Sequence, residues 1–175
     1  MKKIILGIMA IVLFSCNNKG SLQKYFVENS ESSNFISLDV TPSIINTEKL
    51  TLSQKDKETL SSFEKMNILA FKKDSLNVKV YDVEKEKVKG LLKDEAYQEL
   101  LKIGSGSEGG ALYYVGDEEK INEFVLFANS KENGFAVVRI LGDDMNPTRI
   151  MNLISLINKS DVKLDEFKAL QNMLK

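Results

Sequence analysis

Gly104, Gly106 and Gly109 stand at the spacing G-x-G-x-x-G, the pattern by which backbone amides close on the pyrophosphate of a dinucleotide. That chemistry needs a strand before the loop and a helix after it, because the phosphate rests on the helix N-terminus. The flanks read in the opposite order. Over residues 82–103, Val88, Leu91, Leu92, Ala96, Leu100 and Leu101 recur at helical spacing, with Gly90 and Asp94 allowing a division into two helices, and residues 111–115 read as a strand. The glycines are therefore expected to connect a helix to a strand, and no cofactor is expected there.

Two further matches are weighed the same way. Ser62-Phe-Glu-Lys65 and Ser160-Asp-Val-Lys163 fit S-x-x-K, which joins a nucleophilic Ser to a Lys in penicillin-recognising enzymes, but the companion S-D-N and K-T-G motifs are missing. Asp117-Glu118-Glu119 and Asp143-Asp144 offer carboxylates for Ca²⁺ without the alternating ligand spacing of an EF-hand, and read as solvated turns. Nothing selects a pair of carboxylates for glycoside hydrolysis. There is no His, which removes the commonest general base and metal ligand, and with one Cys neither an intramolecular disulfide nor a thiolate cluster can form. No catalytic residue, metal site or cofactor is expected.

That single Cys has a place of its own. Met1-Lys2-Lys3 is a short basic start, and residues 4–14 form an apolar run long enough for a signal peptide and too short to span a bilayer. The run ends in Leu13-Phe14-Ser15-Cys16, which resembles the lipobox of bacterial lipoproteins: an aliphatic residue, a small residue just before the cut, then the Cys that carries lipid. Phe14 is bulkier than the usual occupant. The resemblance implies a diacylglyceryl thioether on Cys16 and cleavage between Ser15 and Cys16. Several acyl chains, at about 0.8 kcal/mol per buried CH₂, hold far better than one. Residues 1–15 are thus read as signal peptide, 16–20 as lipidated Cys and tether, and 21–175 as one domain. The tether Asn17-Asn18-Lys19-Gly20 lacks the acidic cluster typical of surface-exported lipoproteins, which favours an anchor facing the periplasm.

Charge points away from nucleic acid. The net is −1, and removing residues 1–15 takes away Lys2 and Lys3, leaving 22 basic against 25 acidic residues, a net of −3. The aromatic set Tyr25, Phe26, Tyr113, Tyr114, Phe124, Phe127 and Phe135 is expected to pack a core rather than line a ligand site. Arg139, a charge inside an apolar strand, is expected to turn to solvent; the alternative is burial opposite a carboxylate or a ligand.

The elements that position these groups follow from periodicity. Ser21 caps a short helix bearing Leu22, Tyr25 and Phe26, and Ile36, Leu38 and Val40 alternate as in a strand. Thr51-Leu-Ser-Gln54 reads as a capping box opening a polar helix with the stripe Leu60, Phe63 and Met66, followed by an apolar strand over 68–71. Residues 111–115, 121–128 and 135–141 read as a three-stranded antiparallel meander with Asn133-Gly134 in its second turn. Asn146 and Pro147 start a helix with Ile150, Leu153, Ile154 and Ile157 on one face, and Ser160 or Asp161 starts a last one with Leu164, Phe167, Leu170 and Leu174. The expected fold is α+β: a mixed sheet ending in the meander, with amphipathic helices packed mainly on one face.

Ser21-Leu-Gln-Lys-Tyr-Phe-Val-Glu-Asn29, Asn34-Phe-Ile-Ser-Leu-Asp39, Ile68-Leu-Ala-Phe-Lys72, Gly134-Phe-Ala-Val-Val-Arg-Ile-Leu-Gly142 and Met145-Asn-Pro147 resemble a lipoprotein family of the Bacteroidetes, domain of unknown function 4252. The resemblance runs over nearly all of the mature chain up to Pro147. It implies an envelope location and offers no catalytic residues. Members are often encoded near extracytoplasmic-type sigma factors. The expected function is a lipid-anchored, periplasm-facing binding or interaction module whose partners are the membrane, through Cys16, and an envelope protein. The alternatives are an envelope-stress regulator acting with a membrane-spanning partner, and a His-free enzyme with convergent carboxylates in a deep pocket.

Overall fold

The computed structural model describes residues 20–48, 50–105, 108–118 and 120–160. Its elements are α1 (Leu22–Asn29), β1 (Phe35–Val40), a 3₁₀ turn (Pro42–Ile44), α2 (Gln54–Ser62), β2 (Phe63–Lys72), α3 (Val78–Leu91), β3 (Gln98–Ser105), β4 (Glu108–Asp117), β5 (Lys120–Ser130), β6 (Gly134–Met145) and α4 (Pro147–Lys159). The six strands form one sheet in the order β1-β2-β6-β5-β4-β3.

The fold is α+β and its last strands do form a meander, which is four strands long because β3 joins it. Every pairing is antiparallel, so the sheet is not mixed. Nor are the helices gathered on one face. Met66, Ile68 and Ala70 of β2 point with Ile140 and Phe124 into one core, where Leu60 of α2 and Ile150, Leu153 and Ile157 of α4 cover them. Leu69 and Phe71 point the other way with Val125, Phe127, Phe135 and Val137, beneath Leu22, Tyr25 and Phe26 of α1 and Tyr81 and Val88 of α3. The reason is in the central strands: β2, β5 and β6 are apolar at consecutive positions, so both faces must be taken out of water.

Two helical expectations fail at the same kind of irregularity. Phe63 and Met66 belong to β2, not to the preceding helix, and the β2–β6 register shifts between Phe63 and Lys65. The extra residue puts side chains three apart on one sheet face, which imitates a helical period. The second failure is at 98–105. The helix expected through Ile103 ends at Leu91, and Leu101 and Ile103 lie in β3, whose register shifts between Glu99 and Leu101. Leu100 is the inserted residue.

The caps are mostly local and legible. The Ser21 hydroxyl accepts from Lys24 N at 3.1 Å, and the Asn146 side chain accepts from Arg149 N at 2.9 Å ahead of Pro147. For α2 the box is two residues later than Thr51-Gln54: Ser53 accepts from Asp56 N, and the Asp56 carboxylate accepts from Ser53 N at 2.9 Å. An ionised carboxylate is a stronger acceptor than the Gln54 amide. On α4, Ile154 is exposed and Leu156 is buried beside Ile157. The helix read from Ser160 or Asp161 to Leu174 lies outside the described residues, apart from Ser160, which caps the C-terminus of α4.

Candidate functional site

The helices of the second face do not reach the sheet edge. Beyond the end of α3, the turn of residues 92–97 and the β3–β4 hairpin enclose a cavity of about 580 Å³. Its floor is Ala111, Tyr113 and Phe127, neighbours on β4 and β5. Leu92, Lys89, Lys93 and Tyr97 form the wall on the α3 side; Glu99, Lys102, Gly104 and Gly109 form the other. The turn holds its shape through its own backbone, with Asp94 N donating to Leu91 O at 3.2 Å and Tyr97 N to Asp94 O at 3.0 Å, while the Asp94 carboxylate accepts from Ala96 N.

Gly104 and Gly109 of the G-x-G-x-x-G match belong to this hairpin, and Gly106 lies outside the described residues. Gly104 and Gly109 face each other across β3 and β4, with φ of 78° and 150°. A Cβ on Gly109 would run into the Ile103 carbonyl, and one on Gly104 would lie 2.6 Å from the Glu108 carbonyl. They permit close approach of two strands, and no helix follows to receive a phosphate. The expected helix-to-strand connector is therefore a strand-to-strand one.

Both phenols of the cavity are held in the protonated form. Burial, then the Glu99 carboxylate, pushes Tyr113 up; burial, then Glu123, pushes Tyr97 up against the opposing pull of Arg139. Tyr97 thus lies between the cavity and a second polar group that sequence alone left open. Arg139 is 6% exposed and does not turn to solvent. Its Nε donates to Glu123 Oε1 at 2.6 Å, one Nη to Oε2 at 3.2 Å, and the other to Gln23 Oε1 of α1 at 3.0 Å. The guanidinium also lies over the Phe26 ring, 5.6 Å from its centroid. A bidentate, fully engaged Arg is a structural clamp between α1 and the sheet.

The other candidates are spent or dispersed. The Ser62 hydroxyl donates to Thr59 O at 2.9 Å, and Ser160 to Ile157 O at 2.9 Å; Lys163 lies outside the described residues. Asp143 pairs with Lys120 at 3.9 Å and Asp144 with Arg149 at 2.8 Å, Asp117 and Glu118 are exposed, and Glu119 is outside the described residues. Among the described residues no three His, Cys, Asp or Glu side chains converge to hold a metal. The aromatic set packs as expected, with Phe71 and Phe135 stacked at 5.5 Å between centroids, and Tyr113 and Phe127 also floor the cavity. The cavity is not legible in the sequence, because Leu92, Tyr97, Glu99 and Lys102 fall within 82–103, where the apolar spacing reads as one or two helices. Ser15 and Cys16 lie outside the described residues, and among those described no helix is long and apolar enough to cross a membrane.

The core rows and the hairpin span most of the described residues, and the similarity to known sequences covers most of the chain. The family model described as "Domain of unknown function (DUF4252)" matches residues 13–153. No curated protein and no solved structure matches the chain. With the match running from Leu13 through the sheet into α4, the chain belongs to the DUF4252 family.

Proposed function

We infer that the protein is a lipid-anchored lipoprotein of the cell envelope, facing the periplasm, which binds a ligand or partner at the cavity between α3 and the β3–β4 hairpin without converting it. The cavity carries this reading. It is of the size of small-molecule sites, its floor is apolar and aromatic, and its rim is charged. Tyr97 and Tyr113 line it and, like any phenol, are protonated at neutral pH and able to donate hydrogen bonds to a ligand. Location rests on the lipobox-like Leu13-Phe14-Ser15-Cys16 and on the tether without acidic residues.

Chemical crosslinking in native membranes, followed by affinity purification of wild type, Cys16→Ala and Ala111→Trp, tests both halves. The expected result is a reproducible adduct in wild type that is lost when the anchor is removed and lost when the indole fills the cavity. Turnover of ester, glycoside or peptide substrates by purified full-length protein would overturn the non-enzymatic reading.

A further inference from the structure

The cavity lies where the tether leaves the fold. A Cβ on Gly20 would lie 3.5 Å from Leu91 Cδ2, next to Leu92 on the cavity wall, and the backbone of Leu22 is hydrogen-bonded to Tyr97 on the same wall. Four residues from Cys16 to Gly20 span at most about 14 Å of extended chain. A lipid on Cys16 would keep Gly20, and with it the α3 end of the cavity wall, within about 14 Å of the bilayer interface, a step that rests on the anchored reading above.

The rim decides what can enter from there. Lys89 is paired with Glu86 at 3.1 Å, and Asp94 is taken up by its own turn. Lys93 and Lys102 on one hand, and Glu95, Glu99 and Glu108 on the other, line the same cavity, are exposed, and form no ion pair with a described residue. A ligand of one sign would be attracted by one set and repelled by the other. A zwitterion satisfies both, and the Tyr113, Ala111 and Phe127 floor accepts a hydrocarbon chain. A volume of about 580 Å³ holds a headgroup and the start of a chain, leaving the remainder in the membrane.

We propose that the cavity captures the headgroup and proximal acyl segment of a zwitterionic phospholipid, because each wall offers both signs to its phosphate and ammonium: Lys93 and Glu95 on the α3 side, Lys102 with Glu99 and Glu108 on the hairpin.

The test uses full-length protein bearing its own anchor, reconstituted in vesicles of phosphatidylethanolamine mixed with phosphatidylglycerol, extracted in mild detergent and weighed intact by native mass spectrometry. Wild type is expected to retain one phosphatidylethanolamine per chain, favoured over phosphatidylglycerol by about tenfold, the equivalent of about 1.4 kcal/mol. Ala111→Trp is expected to lose it. So is Lys102→Glu, whose exposed position leaves the core untouched. Soluble glycerophosphoethanolamine, which lacks the chains, is expected to compete poorly. No retained phospholipid, equal retention of both lipids, retention unchanged in Ala111→Trp, or full displacement by glycerophosphoethanolamine would each overturn the proposal. The same spectra report the mass on Cys16. A lipidated chain that retains no phosphatidylethanolamine defeats this proposal alone, and an unmodified Cys16 defeats the anchored reading.

Discussion

Arg139 and Glu123 meet as a two-pronged ion pair between neighbouring strands β6 and β5, with both side chains almost wholly buried. The pair also reaches α1 through Gln23, so one guanidinium joins two strands and a helix. Replacing Arg139 with Ala strands the Glu123 carboxylate in the core, and the expected cost is about 3–5 kcal/mol. The double variant Arg139→Met with Glu123→Leu is expected to recover most of that loss, since a packed apolar pair is no worse than a buried ionic one. Urea unfolding of the singles and the double checks it; a double variant as unstable as Arg139→Ala would show that the cluster does more than neutralise itself.

The capping box of α2 gives an acid-side prediction. The Ser53 hydroxyl first, then the Ser53 backbone N–H and then Asn152, hold the Asp56 carboxyl below its ordinary range. A depressed carboxyl pKa adds stability above the unfolded value, about 3.9, and that stability drains away as pH falls through the lower folded value. Between pH 7 and pH 3, wild type should therefore lose more of its urea midpoint than Asp56→Asn does.

An alkaline titration reads the other end of the scale. Tyr25 is pushed far above the usual phenol range by burial and then by the Glu84 carboxylate, and Tyr97 and Tyr113 are raised mainly by burial. With raised folded values these groups favour the fold below the unfolded phenol pKa, about 10, and stability falls as pH climbs from there toward the folded values. The chain has five Tyr and no Trp, so phenolate absorbance is unobscured. Part of it is expected to appear only with unfolding, and Tyr97→Phe should reduce that late fraction.

Gly109→Ala is expected to destabilise by more than about 1 kcal/mol, because its φ of 150° and the approach of the Ile103 carbonyl exclude a side chain. Gly90→Ala is the comparison. A Cβ on Gly90 meets nothing within 4 Å inside α3, and thermal unfolding should show it neutral or stabilising.

What could be read in advance was what depends on near neighbours. The cap at Ser21, the Asn146-Pro147 start, the doubly buried strand at 68–71 and the meander follow from spacings of a few residues. The errors have a common physical origin in that the bulges at 63–65 and 99–101 shift the phase of a strand, and a shifted period of two passes for a period near 3.6. The helices on both faces were implied by consecutive apolar positions in β5 and β6, but an alternating reading of those strands hides that. The fate of Arg139 was not legible at all: its partners Glu123 and Gln23 are set by strand pairing and by the docking of α1, 16 and 116 residues away. The cavity is hidden for the same reason, since its walls come from α3, a turn and a hairpin whose first strand has helix-like spacing.

The bulge at Leu100 also bears on the exposed edge of the sheet. β3 is an outer strand of the sheet, and its apolar side chains Leu101 and Ile103 are 50% and 65% exposed. A regular strand of that kind would template its own extension, one chain's sheet growing into the next. The inserted residue kinks the ladder, and Glu99 and Lys102 set charges along it. The irregularity that disguises β3 as a helix thus also works against its pairing with another strand.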